Sequence, residues 1–176
     1  MIFNETKLKG SYVIEIDKLK DVRGFFSRTW DKELFHKMGL RYDILQSNIS
    51  HNKRKGTIRG MHYQEKPYEE AKLVSCIRGG VYEVFIDLRK NSKTFRQWDS
   101  VRLTDKNFKM LYVPKGFALG FQTLKDNTEL FYQMSKKYMP EFSRGIHYKD
   151  PEFKIEWPQK VKVISERDMS FELFKE

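Results

Sequence analysis

Short runs of β-branched and aromatic residues, each closed by glycine, proline or polar turn residues, recur along almost the whole chain. They fall at residues 10–17, 25–30, 43–51, 79–88, 95–103, 109–114 and 128–135. Such residues fit a pleated, half-buried surface. Residues 31–38 carry a helical signature, with Asp31 as N-cap and Gly39 as stop. The expectation is an all-β fold, a sandwich or barrel with a few short helices, because closure or a second sheet manages the exposed strand edges. The 176 residues are enough to bury a core and read as a single domain, 1–176. Gly79-Gly80 predicts a hairpin turn. In the strand after it, Val81, Glu83, Phe85 and Asp87 share one face, which turns two carboxylates toward something polar. The tail, 136–168, has prolines at 140, 151 and 158 and reads as loop-rich.

The chemistry-bearing residues concentrate in 57–76, where Arg59, His62, Gln64 and Lys72 flank a turn at Lys66-Pro67. A histidine accepts a proton near neutral pH, its ordinary pKa being ~6.5. Two cations beside it suit an anion or a developing oxyanion. A solvated hairpin with a hydrogen-bonded histidine remains the bland alternative. Gln46, Asn48 and Ser50 alternate along 43–51, and their polarity favours a solvent-facing side. His36 reads as a surface residue and His51 as an exposed strand end.

Composition narrows the classes. The apolar share is 39% and the aromatic share 15%, so the chain is globular. Net charge is +10, which fits an anionic partner or a lysine-rich solubilising surface. The basic residues are scattered rather than clustered, which argues against a nucleic-acid binder. The lone Cys76 permits no internal disulfide and fits a reducing compartment. No apolar run approaches the ~18 residues of a membrane span, and the N-terminus lacks a signal-peptide core. A soluble, cytoplasmic protein is expected.

Several motifs then occur in order: Asp-x-Arg-Gly-x-Phe at 21–26, Gln-x-Asn-x-Ser at 46–50, Arg-Gly-Met-His-Tyr-Gln at 59–64 and Lys-Leu-Val at 72–74. Ile-Asp-Leu-Arg at 86–89, Pro-x-Gly-Phe-Ala-x-Gly-Phe at 114–121, Tyr132 and Ser-x-x-Asp at 165–168 complete them. Together they resemble the dTDP-4-dehydrorhamnose 3,5-epimerase family from about residue 10 to residue 168. The resemblance implies a cupin-type jelly roll (double-stranded β-helix) with the site inside the barrel, in a homodimer. The implied substrate is a nucleoside-diphosphate-linked 4-keto-6-deoxy sugar, hexose or heptose, made for surface polysaccharide. The implied chemistry is epimerisation at C3 and/or C5 with no cofactor and no metal. His62 stands without the second histidine of a His-x-His pair, and Leu119 stands where a metal-binding cupin places its later histidine.

By that resemblance His62 is the general base, Asp168 its carboxylate partner, Tyr132 the acid and Lys72 the cation near the C4 oxygen. Arg23 and Arg59 are expected on the diphosphate, for which a guanidinium fork is well shaped. Phe26, Gln46, Asn48, Phe121 and Tyr138 are expected around nucleotide and sugar, Tyr138 stacking on the base. Two positions depart from the family: Leu119 replaces a histidine in the site, and Arg28 replaces a glutamate in the segment that holds the nucleotide. These leave open whether the nucleotide is dTDP, GDP or CDP, and whether reaction is confined to C3. A 3,4-ketoisomerase and a non-catalytic nucleotide-sugar-binding cupin are the competing readings.

Overall fold

The computed structural model describes residues 1–40 and 43–175. In chain order the elements are β1 (Ile2–Glu5), β2 (Tyr12–Glu15), β3 (Leu19–Asp21), β4 (Gly24–Phe26) and α1 (Lys32–Lys37). Then follow β5 (Gln46–Asn52), β6 (Ile58–Gln64), β7 (Lys72–Arg78), β8 (Gly80–Asp87) and β9 (Trp98–Thr104). The chain continues with β10 (Met110–Val113), β11 (Phe117–Thr123), β12 (Thr128–Met134), β13 (Ser143–Gly145) and α2 (Glu166–Met169). The expected all-β fold is present. Asp31 caps α1 as predicted, its side chain accepting from the Leu34 N–H at 3.1 Å.

Two antiparallel sheets face each other. One has the order β1-β2-β10-β7-β12-β5, the other β13-β6-β11-β8-β9, and β3 and β4 form a separate hairpin. The strands cross repeatedly from one sheet to the other, as in a jelly roll. The Gly79-Gly80 hairpin is therefore corrected: β7 and β8 belong to different sheets and do not pair. The two glycines turn the chain through the corner between them. The same crossing relates β6 to β7, so His62 and Lys72 converge across the barrel rather than along a hairpin.

Between the sheets lies one apolar cluster, with Val74, Leu111, Val113 and Leu130 from the first sheet and Val81, Phe85, Phe117, Leu119 and Phe121 from the second. Outside the first sheet, α1 seats Phe35 against Ile14, Leu73, Met110 and Tyr112. Full burial of such a side chain contributes ~1.5–3 kcal/mol. Outside the second sheet, Ile146, Phe153 and Trp157 of the tail cover Met61, Val84 and Ile86. Cover on the outer faces is thus local: α1 lies over part of the first sheet and the tail over part of the second.

Candidate active site

A cavity of 330 Å³ opens between the sheets and carries His62, Lys72, Tyr132, Arg59, Leu119, Phe121 and Tyr138 on its wall. Strand register explains who meets whom. On β7 and β12, Tyr132 pairs with Val74 and Met134 with Lys72, so Lys72 and Tyr132 stand on one face of the first sheet. On β6 and β11, Leu119 pairs with His62, which puts both on the inner face of the second sheet. The imidazole and the phenol therefore reach the cavity from opposite sheets.

His62 is held from behind. Its Nε2 lies 2.8 Å from Asp168 Oδ1, and the Gly60 N–H donates to Asp168 Oδ2 at 2.9 Å. Burial alone would raise the Asp168 pKa, but the His62 hydrogen bond and charge, with the Gly60 N–H, outweigh it and hold the carboxyl low. The carboxylate thus fixes the ring and leaves Nδ1 as the nitrogen without a protein carboxylate. Ser165 caps α2 and accepts from the Asp168 N–H at 3.1 Å, which fixes the backbone that carries Asp168. Gly60 is required there: with φ +120, a Cβ on it would lie 2.6 Å from the Gly120 Cα. Phe171 packs its ring edge-to-face against His62, centroids 5.7 Å apart.

Lys72 Nζ pairs with Glu70 Oε1 at 2.7 Å, and both side chains are largely buried. Tyr132 has its pKa raised by burial, with Arg59 pulling it back, so the phenol keeps its proton at neutral pH. Asn52, itself buried, accepts from Arg59 Nε at 2.8 Å and aims the exposed guanidinium at the cavity mouth. Arg167 reaches Ser143 Oγ at 2.8 Å and the Tyr138 hydroxyl at 3.4 Å; the Ser143 and Arg167 hydrogen bonds lower the Tyr138 pKa. Among the described residues, no group of three His, Cys, Asp or Glu side chains is arranged to hold a metal ion. No helix among them is long and apolar enough to cross a membrane.

The other expected site residues fall in two sets. Gln46 and Asn48 stand beside the cavity: Gln46 Oε1 accepts from the Tyr138 N–H at 2.7 Å, and Asn48 Nδ2 lies 3.7 Å from Met134 Sδ. The solvent-facing reading of their strand face is corrected, because Gln46, Asn48 and Ser50 are half-buried while Ser47, Ile49 and His51 are exposed. Arg23, Phe26 and Arg28 are away from this cavity. Arg23 pairs with Asp21 on the exposed β3–β4 hairpin, and Arg28 pairs with Asp31. The sequence reading missed Glu70 and Arg167. Glu70 sits two residues before Lys72, the spacing that shares a face in extended chain; Arg167 directly precedes Asp168.

The chain from residue 5 to residue 176 matches the family model described as dTDP-4-dehydrorhamnose 3,5-epimerase. A dTDP-4-dehydrorhamnose 3,5-epimerase of Methanothermobacter thermautotrophicus is 39% identical, over 99% of this chain and 95% of its own. The crystal structure of a dTDP-4-dehydrorhamnose 3,5-epimerase from Bacillus anthracis, with TDP and PPi bound, superposes with a TM-score of 0.95 at 35% identity, covering 98% of this chain and 99% of that one. A Legionella pneumophila dTDP-6-deoxy-D-glucose-3,5-epimerase in complex with dTDP-4-keto-L-rhamnose gives 0.91 at 34% identity, covering 98% and 92%. With its jelly roll, its inter-sheet cavity and these relatives, the chain belongs to the dTDP-4-dehydrorhamnose 3,5-epimerase family.

Proposed function

We propose that this protein epimerises a nucleoside-diphosphate-linked 4-keto-6-deoxy sugar at the carbons flanking the ketone, for deoxysugar and surface-polysaccharide synthesis. The single observation that carries the reading is the pair His62 and Tyr132, reaching one cavity from opposite sheets. A C4 ketone acidifies the C–H bonds at C3 and C5. His62 takes the proton, the C–H electron pair forms the ring C=C bond, and the C4 oxygen acquires the negative charge. Lys72, held by Glu70, neutralises that charge. Tyr132 then delivers its O–H proton to the opposite face, inverting the carbon, and solvent exchange resets both groups. Asp168 keeps the His62 tautomer correct and stabilises the imidazolium.

Arg59 and Arg167 at the mouth suit the diphosphate, and Tyr138 offers a ring for the base. The remaining residues come from a second copy of the chain. Leu19, Val22 and Phe26 stand largely in solvent on the β3–β4 hairpin, an apolar finger with no cover in one protomer. In the homodimer we propose, this finger carries Arg23 and Phe26 to the partner's cavity. The 1–176 chain acts as one cupin-like epimerase domain, and its single, buried Cys76 suits the reducing cytoplasm.

The test is incubation in heavy water with dTDP-, GDP- and CDP-linked 4-keto-6-deoxy sugars, followed by NMR of C3 and C5. Label appearing with inversion at either carbon is expected with one of them. Absence of label from every sugar, with binding intact, would make the protein a binder only.

A further inference from the structure

β8 is an interior strand of the second sheet, paired with β11 on one side and with β9 on the other. Its inward residues are Val81, Glu83 and Phe85, and Val81 and Phe85 are wholly buried in the inter-sheet core. Between them stands a carboxylic acid that is 1% exposed, lines the cavity, and has no hydrogen-bond partner at Oε2. Its cross-strand neighbours are apolar: Phe121 on β11 and Val101 on β9. The ammonium of Lys72 is already engaged by Glu70 at 2.7 Å. An unpaired carboxyl in such a wall is costly to the fold, and an ionised one more so. A polar atom left without a partner and facing a cavity is waiting for a ligand atom.

We propose that Glu83 is a substrate-contacting residue which, as the neutral acid, donates a hydrogen bond from the cavity floor to the C4 oxygen of the bound sugar. This rests on the epimerase reading above. As the C–H proton leaves for His62 and charge gathers on the C4 oxygen, that oxygen has two donors, the Lys72 ammonium and the Glu83 O–H. A fixed neutral donor in a water-poor site stabilises the enolate without a second cation, and ketone and enolate are distinguished by how strongly they accept.

The surroundings favour the protonated form. Burial pushes the Glu83 pKa up to about 8, and Lys72 is the one charge pulling it down. The titratable groups sharing its side of the barrel are Lys72 and Cys76 on β7, Arg59 and His62 on β6, Tyr132 on β12, and Glu70 ahead of β7. Of these, Lys72 and Arg59 are cations, and Glu70 already neutralises Lys72.

Two variants separate the roles: Glu83→Gln keeps a donor of the same shape, and Glu83→Met keeps the length without one. Removing an unpaired buried carboxyl leaves the fold intact or firmer, which thermal melts check. For E83M we expect kcat to fall by about 10²–10³, the scale of a lost oxyanion donor, with KM little changed. For E83Q we expect a smaller fall at pH 7, and loss of the alkaline decline that ionisation of Glu83 imposes on the wild type. In the free protein at pH 7, infrared difference spectra of wild type against E83Q should contain the C=O stretch of a protonated carboxyl, whatever the substrate. An E83M enzyme with wild-type kcat, an E83Q enzyme as impaired as E83M, or a carboxylate band in place of the acid band would each overturn the inference. A wild type inert toward every 4-keto sugar would instead overturn the epimerase reading and take this one with it.

Discussion

Replacing Asp168 by asparagine exchanges one heavy atom, an oxygen for a nitrogen, and should cost most of the activity. The carboxylate accepts two hydrogen bonds, from Gly60 N at 2.9 Å and from His62 Nε2 at 2.8 Å. A carboxamide has only one acceptor oxygen. The Gly60 N–H is a backbone donor fixed in the β6 strand, so the amide oxygen turns to it and the NH₂ faces His62. The ring must then accept at Nε2 and carry its proton on Nδ1, the nitrogen that should be the base. Besides the wrong tautomer, the imidazolium loses a charge-assisted bond of ~1.5–3 kcal/mol, about 10–150-fold on its own. We expect kcat to fall by about 10²–10⁴ with KM little changed, the range for a disabled general base. The assay is deuterium wash-in at C3 and C5, followed by NMR, with thermal melts to verify folding. A D168N enzyme within about tenfold of wild type, below the usual contribution of a general base, would refute the dyad.

Other outcomes follow from the same geometry. Val22→Asp with Phe26→Ser, on the exposed hairpin, should shift a dimer toward monomer in light scattering and lower turnover while leaving the melting temperature nearly unchanged; an unaltered, active dimer would remove the hairpin from the interface. Leu119 lies opposite His62 in register, so Leu119→His places a hydrogen-bonding ring beside the base and should change the ratio of C5 to C3 exchange; an identical ratio would make the position indifferent. Because the folded Asp168 pKa is depressed, the unfolded state binds more protons below an ordinary aspartate pKa of ~3.9. The carboxylate's contribution is therefore full at neutral pH and lost as pH falls through the folded value. Urea titrations should show the wild type losing more stability than D168N between neutral and strongly acid pH; parallel losses would contradict the assignment.

Local patterns revealed most of the strands and the first short helix but not which sheet each strand joins. Residues 79–88 look like the second arm of a hairpin, because two glycines after a β run fit a turn as well as a barrel corner; only the long-range pairing of β8 with β11 and β9 decides. β11 is buried along its whole length, covered by the core on one side and the tail on the other. It therefore lacks the alternation that marks a half-exposed strand and was concealed behind the Pro114 turn. His62, Lys72, Tyr132 and Asp168 were singled out by the family resemblance. Their meeting was not legible, since 106 residues separate His62 from Asp168. Glu83 was visible as a carboxylate on an apolar strand, although sequence could not tell that it would be left without a partner. Arg23 and Phe26 carry family motifs on a hairpin that one protomer leaves in solvent, a placement a single chain cannot explain.

The central claim is that one sugar carbon is deprotonated by His62 and reprotonated from the other side by Tyr132. The direct test is Tyr132→Phe in heavy water, reading both label and configuration at C3 and C5 by NMR. The account predicts that deuterium still enters through His62, but with retained configuration and little epimer formed. Normal inversion by Y132F would contradict it.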